Sequence, residues 1–223
     1  MAVDFLLRRA AGGDARALSM AGRALERMAA GGIFDHLAGG FARYATDAAW
    51  LVPHFEKMLY DNAQLARAYL HAWALTCDAA HLRVATMTLD FVAREMTLPD
   101  GVFAASLDAD TGGEEGATYT WTADEVRDVL VENGLGDAWP LFAEAYDVTE
   151  GGNWEGRVIL RRVASDAGLA ERHSRTPGEV AALLERARIA LLAARQRRPQ
   201  PGAEIGAVQQ QEAQVGDEHI RRA

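Results

Sequence analysis

The chain has 223 residues, of which 49% are hydrophobic and 25% charged, as is typical of a globular protein. Its net charge of −9 would repel a phosphate backbone, and no apolar run approaches the roughly 20 residues needed to span a bilayer, so we expect neither nucleic-acid nor membrane binding. Cys77 is the only cysteine, which excludes an internal disulfide, and the N-terminus lacks the basic-then-apolar order of a signal peptide; both features favour a cytoplasmic protein.

Apolar residues at helical spacing predict four helices in the first half of the chain. They are a helix opened by Phe5 and stopped at Gly12, a second capped by Asp14 and ended by Gly31, a third from about His54 to Thr76, and a fourth from Asp78 to about Met96. Glycines and aromatic residues between positions 33 and 52 predict a shaped loop, and Pro53 suits the first turn of the third helix.

The second half of the chain begins with a long loop over positions 97–120. The alternation at 117–121 predicts a short strand there. Thr122 and Glu125 form a capping box for a helix to about Glu132. Two more helices are expected from about Trp139 to Tyr146 and from near Pro177 to about Arg197. Residues 1–198 are thus predicted to form the domain, and 199–223 a disordered or aberrant tail.

Helix pairs alternate with long loops along the chain. A pair cannot bury its apolar stripes alone, so neighbouring pairs must stack, and stacking in a circle produces an α/α toroid. We therefore predict an all-α fold, a partial (α/α)6 toroid with short strands in its long loops. Loops that follow alternate helices would then collect on one face and form a site.

The densest group of polar side chains lies between Trp50 and Asn62. Helical spacing would place His54, Lys57 and Asp61 on one face and Glu56 and Tyr60 on another. Such a set can supply a general base, an ammonium group and hydrogen bonds to a polyol. The candidate catalytic residues are His54, Glu56, Lys57 and Asp61, and the candidate substrate-binding residues are Trp50, Tyr60 and Asn62. The alternative is an ordinary helix start, with a Lys57–Asp61 ion pair.

Lys57 is the only lysine among the 23 basic residues. The others are arginines, so this position suggests a place where a compact ammonium group is preferred to a planar guanidinium group.

An acidic loop provides a second set of candidates. Asp108 and Asp110 are candidate catalytic carboxylates, and Glu114 and Glu115 candidate substrate-binding residues. The spacing does not match an EF-hand, and we assign no metal and no other cofactor. The alternative is a loop whose aspartates bond local backbone N–H groups.

The first loop adds three substrate-binding candidates that would line the same mouth, His36, Arg43 and Tyr44. Tyr44, like Trp50, offers a stacking surface for a sugar ring.

Several stretches together resemble one known family. They are Gly31-Gly-Ile-Phe-Asp-His36, Gly39-Gly-Phe41, Arg43-Tyr44, the run from Trp50 to Leu65, Leu107-Asp-Ala-Asp110, Glu114-Glu-Gly116, Tyr119-Thr-Trp-Thr122 and Gly152-Asn-Trp-Glu-Gly156. Over roughly residues 3 to 201 the chain is similar to the thioredoxin-domain-containing family typified by spermatogenesis-associated protein 20. The Trp50 to Leu65 run is the most specific of these stretches.

The resemblance implies a thioredoxin-like domain followed by a six-hairpin barrel similar to N-acylglucosamine 2-epimerases and glycosidases. The chain departs from this pattern in three ways. It lacks the thioredoxin-like domain with its cysteine pair, it has Ala42 where the family usually has histidine, and after Pro199 it does not continue into the second half of the barrel. We therefore expect a truncated or frameshifted fragment whose exposed apolar edge favours self-association.

Three hypotheses follow. The first is a fragment of a carbohydrate-active-like barrel that binds a sugar or polyol and, if active, is epimerase-, isomerase- or glycosidase-like. The second is a non-catalytic scaffold that works with a thioredoxin-like domain or protein. The third is a nonfunctional truncated gene product.

Overall fold

The computed structural model describes residues 2–204, and this part of the chain is mainly α-helical. It contains a 3-10 helix, Gly136–Ala138, and eight α-helices: α1 Ala2–Ala11, α2 Ala15–Ala30, α3 Leu59–Thr76, α4 Ala79–Glu95, α5 Ala123–Glu132, α6 Trp139–Tyr146, α7 Asp166–Arg172 and α8 Pro177–Arg195. The all-α prediction is confirmed, whereas the partial toroid stays a prediction. Within this range no helix has both the length and the apolar character needed to cross a membrane.

The caps predicted from the sequence fix the helix starts. The Asp14 side chain accepts a hydrogen bond from the backbone N–H of Ala17 at the start of α2. At the start of α4, the Asp78 side chain accepts one from the backbone N–H of Ala80. Thr122 and Glu125 form the expected reciprocal capping box at α5. These contacts satisfy backbone N–H groups that the first helical turn leaves without partners.

Residues 2–204 contain seven two-residue strands. They are β1 Tyr44–Ala45, β2 Pro53–His54, β3 Lys57–Met58, β4 Ser106–Leu107, β5 Asp110–Thr111, β6 Glu114–Glu115 and β7 Ala203–Glu204. Of these, β1, β4, β5 and β6 lie in the long loops where short strands were predicted. Antiparallel pairing joins β1 to β2, β4 to both β3 and β7, and β5 to β6. The prediction of a disordered tail is wrong for residues 199–204, because β7 pairs with β4; residues 205–223 lie outside the described residues.

The third helix begins later than predicted. Residues 53–58 are extended, and α3 starts at Leu59. Pro53 is the first residue of β2 rather than of a helix, because β2 and β3 pair with distant strands. The strand expected at 117–121 is also wrong: Trp121 forms only an isolated bridge with Val158. Helix α7 was not predicted.

Two hydrophobic cores hold the helices together. One lies among α1–α4 and the first loop, and its largest members are Leu7, Leu25, Phe34, Phe41 and Tyr69. The other lies among α5–α8, with Trp121, Leu130, Phe142, Leu169 and Leu191. The loops at 31–58 and 96–122 run between the two cores. Large apolar side chains also remain exposed on several helices, including Phe5, Met20, Leu89 and Ile189; self-association through such an edge stays a prediction.

Candidate functional site

The extended segment Pro53–Lys57 points alternate side chains to opposite sides. Phe55 and Lys57 are buried, whereas His54 and Glu56 remain partly exposed. This alternation is the normal geometry of extended backbone. The predicted helical face of His54, Lys57 and Asp61 is therefore wrong, and the Lys57–Asp61 ion pair does not form.

On the inward side, Lys57 belongs to a buried ionic cluster. Its Nζ donates to Oδ2 of Asp35 at 2.8 Å, and Nη1 of Arg195 donates to Oδ1 at 2.8 Å. Burial alone would raise the pKa of Asp35, but Arg195 and Lys57 outweigh it and hold that pKa well below its usual range. Burial lowers the pKa of Lys57, against the opposing effect of Asp35. One carboxylate thus serves two cations.

The first loop brings Asp35 to this cluster. Its Oδ1 also accepts hydrogen bonds from the backbone N–H groups of Leu37 and Ala38, which fix the side chain. Gly39 and Gly40 follow with φ values of 84° and 80°. A Cβ on Gly39 would lie 2.1 Å from a backbone oxygen of α4, so only glycine permits this approach.

A small cavity opens beside the cluster. Its volume is about 30 Å³, and its polar lining residues are Asp35, His36, Lys57, Tyr119 and Arg195. The Lys57 ammonium lies 4.6 Å from the Tyr119 ring centre and 4.3 Å from that of Phe91. The Tyr119 hydroxyl is buried and has no hydrogen-bond partner among residues 2–204. We call this space the inner cavity.

His36 lines the inner cavity as a buried, neutral ring. Its Nε2 donates to the carbonyl of Gly31 at 3.0 Å, since a carbonyl can only accept. Burial lowers the pKa of His36 to about 4, so the ring is uncharged at neutral pH. Ala42, where the resemblance led us to expect histidine, is buried and lines the same cavity.

On the outward side, polar and aromatic side chains form what we call the outer surface, which comprises Arg43, Tyr44, His54, Glu56, Tyr60, Asp61 and Glu115. The Tyr44 ring stacks on His54 with centroids 5.0 Å apart. His54 Nδ1 lies 2.9 Å from Oε1 of Glu115, and Arg43 donates to Glu56 at 2.9 Å. Seven of the predicted site residues therefore lie together. Extended backbone at 53–58, rather than the expected helical face, brings His54 and Glu56 to this side.

Tyr60 and Asp61, two members of the outer surface, differ in their accessibility. Tyr60 is 48% exposed, so its ring and hydroxyl are open to a ligand. Oδ2 of Asp61 is shielded from water and has no hydrogen-bond partner among the described residues. Burial raises the pKa of Asp61, although nearby Arg43 opposes the shift.

Asn62 and Trp50 have structural surroundings. Asn62 is fully buried, and its amide bonds the backbone N–H and C=O of Phe41 and the C=O of Met58. It therefore ties the first loop to α3. Trp50 has a left-handed backbone with φ of 62° and packs against the first core, so its ring is only partly available for stacking.

The acidic loop contains a hairpin, β5–β6, and its acidic residues do not line the inner cavity. Asp108 accepts a hydrogen bond from the backbone N–H of Asp110 at 3.2 Å. This contact agrees with the alternative of a loop whose aspartates bond local backbone N–H groups. Glu114 is exposed, and Glu115 is the member of this loop whose side chain contacts the outer surface, at His54. Among the described residues, no group of three or more acidic, histidine or cysteine side chains is arranged to hold a metal ion.

Sequence reasoning missed three features. Arg195 and Tyr119 complete the inner cavity, but neither was named as a site residue, although Tyr119 lies in one of the stretches that carry the resemblance. A groove of about 680 Å³ also lies on the other side of His36, bordered by Tyr146, Arg162 and Arg188. The two arginines are paired with Asp166 and Glu185 respectively, which balances their charge. The signals for the inner cavity were the lone lysine and the predicted site residue His36.

Comparisons with curated proteins confirm the resemblance. Spermatogenesis-associated protein 20 of Homo sapiens is 46% identical over 149 residues, which cover 62% of this chain, and that of Mus musculus is 42% identical over the same extent. An uncharacterized Caenorhabditis elegans protein is 32% identical over 205 residues, which cover 82% of this chain. The matches span 19% of the two mammalian proteins and 28% of the nematode protein. No protein-family model matches the chain.

Proposed function

For this homologue of spermatogenesis-associated protein 20, we propose that the outer surface binds a sugar or polyol. The observation that carries the proposal is the exposed Tyr44 ring, which stacks on His54. Beside it lie the charged hydrogen-bonding groups of Arg43, Glu56 and Glu115. Sugars present apolar C–H faces to aromatic rings and hydroxyl groups to carboxylates and guanidinium groups. The outer surface offers both kinds of partner.

The division of roles follows from the contacts. Tyr44 and Tyr60 are each about half exposed and supply aromatic faces. The Arg43–Glu56 pair offers a donor and an acceptor. His54, oriented by Glu115, is the group best placed to move a proton in an epimerase- or isomerase-like reaction.

The inner cavity does not suit a sugar. Its volume of about 30 Å³ holds only a molecule the size of one or two waters, far below the usual volume of a ligand pocket. The buried cluster of Lys57, Asp35 and Arg195 instead supports the outer surface from beneath, because Lys57 and Glu56 are consecutive residues. The predicted catalytic role of Lys57 is therefore not part of this proposal.

Titration calorimetry against hexoses, N-acyl hexosamines, disaccharides and linear polyols tests the proposal. We expect saturable binding of at least one compound, and Tyr44→Ala should weaken it roughly tenfold through loss of the stacking face. Phe5→Ala is the matched control, because Phe5 is an exposed aromatic residue on α1, outside the outer surface. Glu115→Gln should also weaken binding, whereas Glu114→Gln, at the neighbouring exposed position, should not.

Two outcomes would contradict the proposal. One is equal affinity for the wild type and the Tyr44→Ala variant. The other is absence of binding to every compound by both this chain and the full-length human relative, tested at millimolar ligand.

A further inference from the structure

The inner cavity contains more buried positive charge than negative. Lys57 and Arg195 are both buried, and Asp35 is the single carboxylate that pairs with either of them within residues 2–204. Glu95 acts on them only from farther away, and its own carboxylate is paired with Arg94. A buried charge without full compensation is costly, so the excess positive charge of the cluster favours an additional anion or loss of the Lys57 proton.

Hydrogen-bond donors in the cavity are also left over. The guanidinium group of Arg195 has five N–H groups, and within the described part of the chain its side chain donates only from Nη1, to Asp35. The buried Tyr119 hydroxyl has no partner, and burial raises the pKa of Tyr119, which keeps this group protonated as a donor. Buried donors are rarely left unsatisfied in folded proteins.

The space beside these donors is small but sufficient for one compact group. A cavity needs about 10–15 Å³ to hold one water molecule, and this cavity has about 30 Å³. Apolar walls from Ile33, Phe34, Phe55 and Ile159 complete the lining. A phosphate ester or a sugar ring does not fit, whereas a planar carboxylate or a halide does.

We propose that the inner cavity binds one compact monovalent anion between Lys57, Arg195 and Tyr119. The anion is the carboxylate of an acid of formate or acetate size, or a chloride ion, since each carries one negative charge and accepts hydrogen bonds. It would complete the charge balance that Asp35 leaves unfinished. This proposal is independent of sugar binding at the outer surface.

The single lysine makes a direct measurement possible. Protein labelled with 13C-lysine has one ε-carbon signal, from Lys57. We would titrate the full chain separately with chloride, formate and acetate at constant ionic strength, with methanesulfonate, which is too bulky for the cavity, as the balancing anion. We expect a saturable shift of this signal and a melting temperature that rises with the concentration of the bound anion. The anion that saturates the shift of the Lys57 signal at the lowest concentration is the one that the cavity binds most tightly.

Tyr119→Phe removes only the unpartnered hydroxyl. Without added anion, the variant should be as stable as the wild type or more stable, because a buried group without a partner is lost. Its affinity for the anion should fall by roughly three- to tenfold. Tyr146→Phe is the matched control: it makes the same chemical change on the groove side of His36, and it should leave the affinity unchanged.

Three results would overturn the proposal. The Lys57 signal could fail to shift saturably with all three anions. It could titrate near neutral pH regardless of the anion present, which would show that the ammonium group loses its proton instead. Tyr119→Phe could also bind the anion with wild-type affinity.

Discussion

Two side-chain pairs on opposite sides of the segment Pro53–Lys57 have nearly equal contact distances and very different surroundings. His54 lies 2.9 Å from Glu115, with side chains 32% and 45% exposed, and Lys57 lies 2.8 Å from Asp35, with side chains 3% and 6% exposed. Water screens the first pair and is excluded from the second. Contact distance therefore does not rank these interactions, whereas burial does, because removing one partner of a buried pair leaves a charge with no solvent to stabilise it.

The largest expected effect is that of Asp35→Asn. This near-isosteric change leaves Lys57 and Arg195 without their shared carboxylate, so we expect the free energy of unfolding to fall by about 3 to 5 kcal/mol. Urea denaturation measures this loss. The control is Asp108→Asn on the exposed hairpin, which should change stability by less than about 0.5 kcal/mol. Equal effects of the two substitutions would remove the distinction between the buried and exposed sides.

The next effect is a pH dependence caused by His36. Its pKa is lowered from 6.5 to about 4 in the folded state, so the unfolded chain takes up this proton first as pH falls. The contribution of His36 to the free energy of unfolding is fully present above pH 6.5. It declines by about 3 kcal/mol in total as pH falls from 6.5 to 4. Denaturation at several pH values should show this decline in the wild type, and it should be smaller in His36→Gln. Asp35 affects stability only at lower pH. Because its pKa is depressed, its contribution to the free energy of unfolding declines only as pH falls below the ordinary pKa range of a carboxyl group.

A smaller loss is expected for Asn62→Ala. The substitution leaves buried backbone groups of Phe41 and Met58 without their side-chain partners, which should cost about 2 kcal/mol. Gln64→Ala is a suitable control in the same helix, because Gln64 is exposed and bonds only the carbonyl of Tyr60. A loss for Asn62→Ala no larger than that of the control would mean that the first loop holds its position without this amide.

The smallest effect is that of Glu115→Gln on stability. Because the His54–Glu115 pair is exposed, we expect a change of less than about 1 kcal/mol, measured by the same denaturation experiment. A much larger loss would show that the outer surface is structural rather than available for binding.

The helices were largely predictable because their signals are local. Asp14, Asp78 and Thr122 each cap a helix within a few residues of themselves, and the apolar spacing follows from the same short window. The extended segment at 53–58 was not predictable in this way. Its strands pair with residues that are about 10 and 50 positions away in the chain, and six residues are too few to separate the helical period from the extended one.

The candidate site shows the same limit. The outer surface was largely identified because its members are polar and close in sequence, whereas the inner cavity joins Asp35 to Arg195, 160 positions later. No spacing rule relates two such residues. The lone lysine did indicate that position 57 is special, since a compact ammonium group fits between two rings and a carboxylate where a guanidinium group would need more room.

The burial of Lys57 also determines how the protein responds to chemical modification. Its side chain carries the only ε-amine of the chain and is 3% exposed, so acylating reagents and amine-reactive cross-linkers can reach it only when the loop that covers it opens. The rate of ε-acylation at Lys57 therefore reports local opening at this one position. Mass spectrometry can follow this acylation without any introduced label, and its rate reflects how accessible Lys57 becomes through opening.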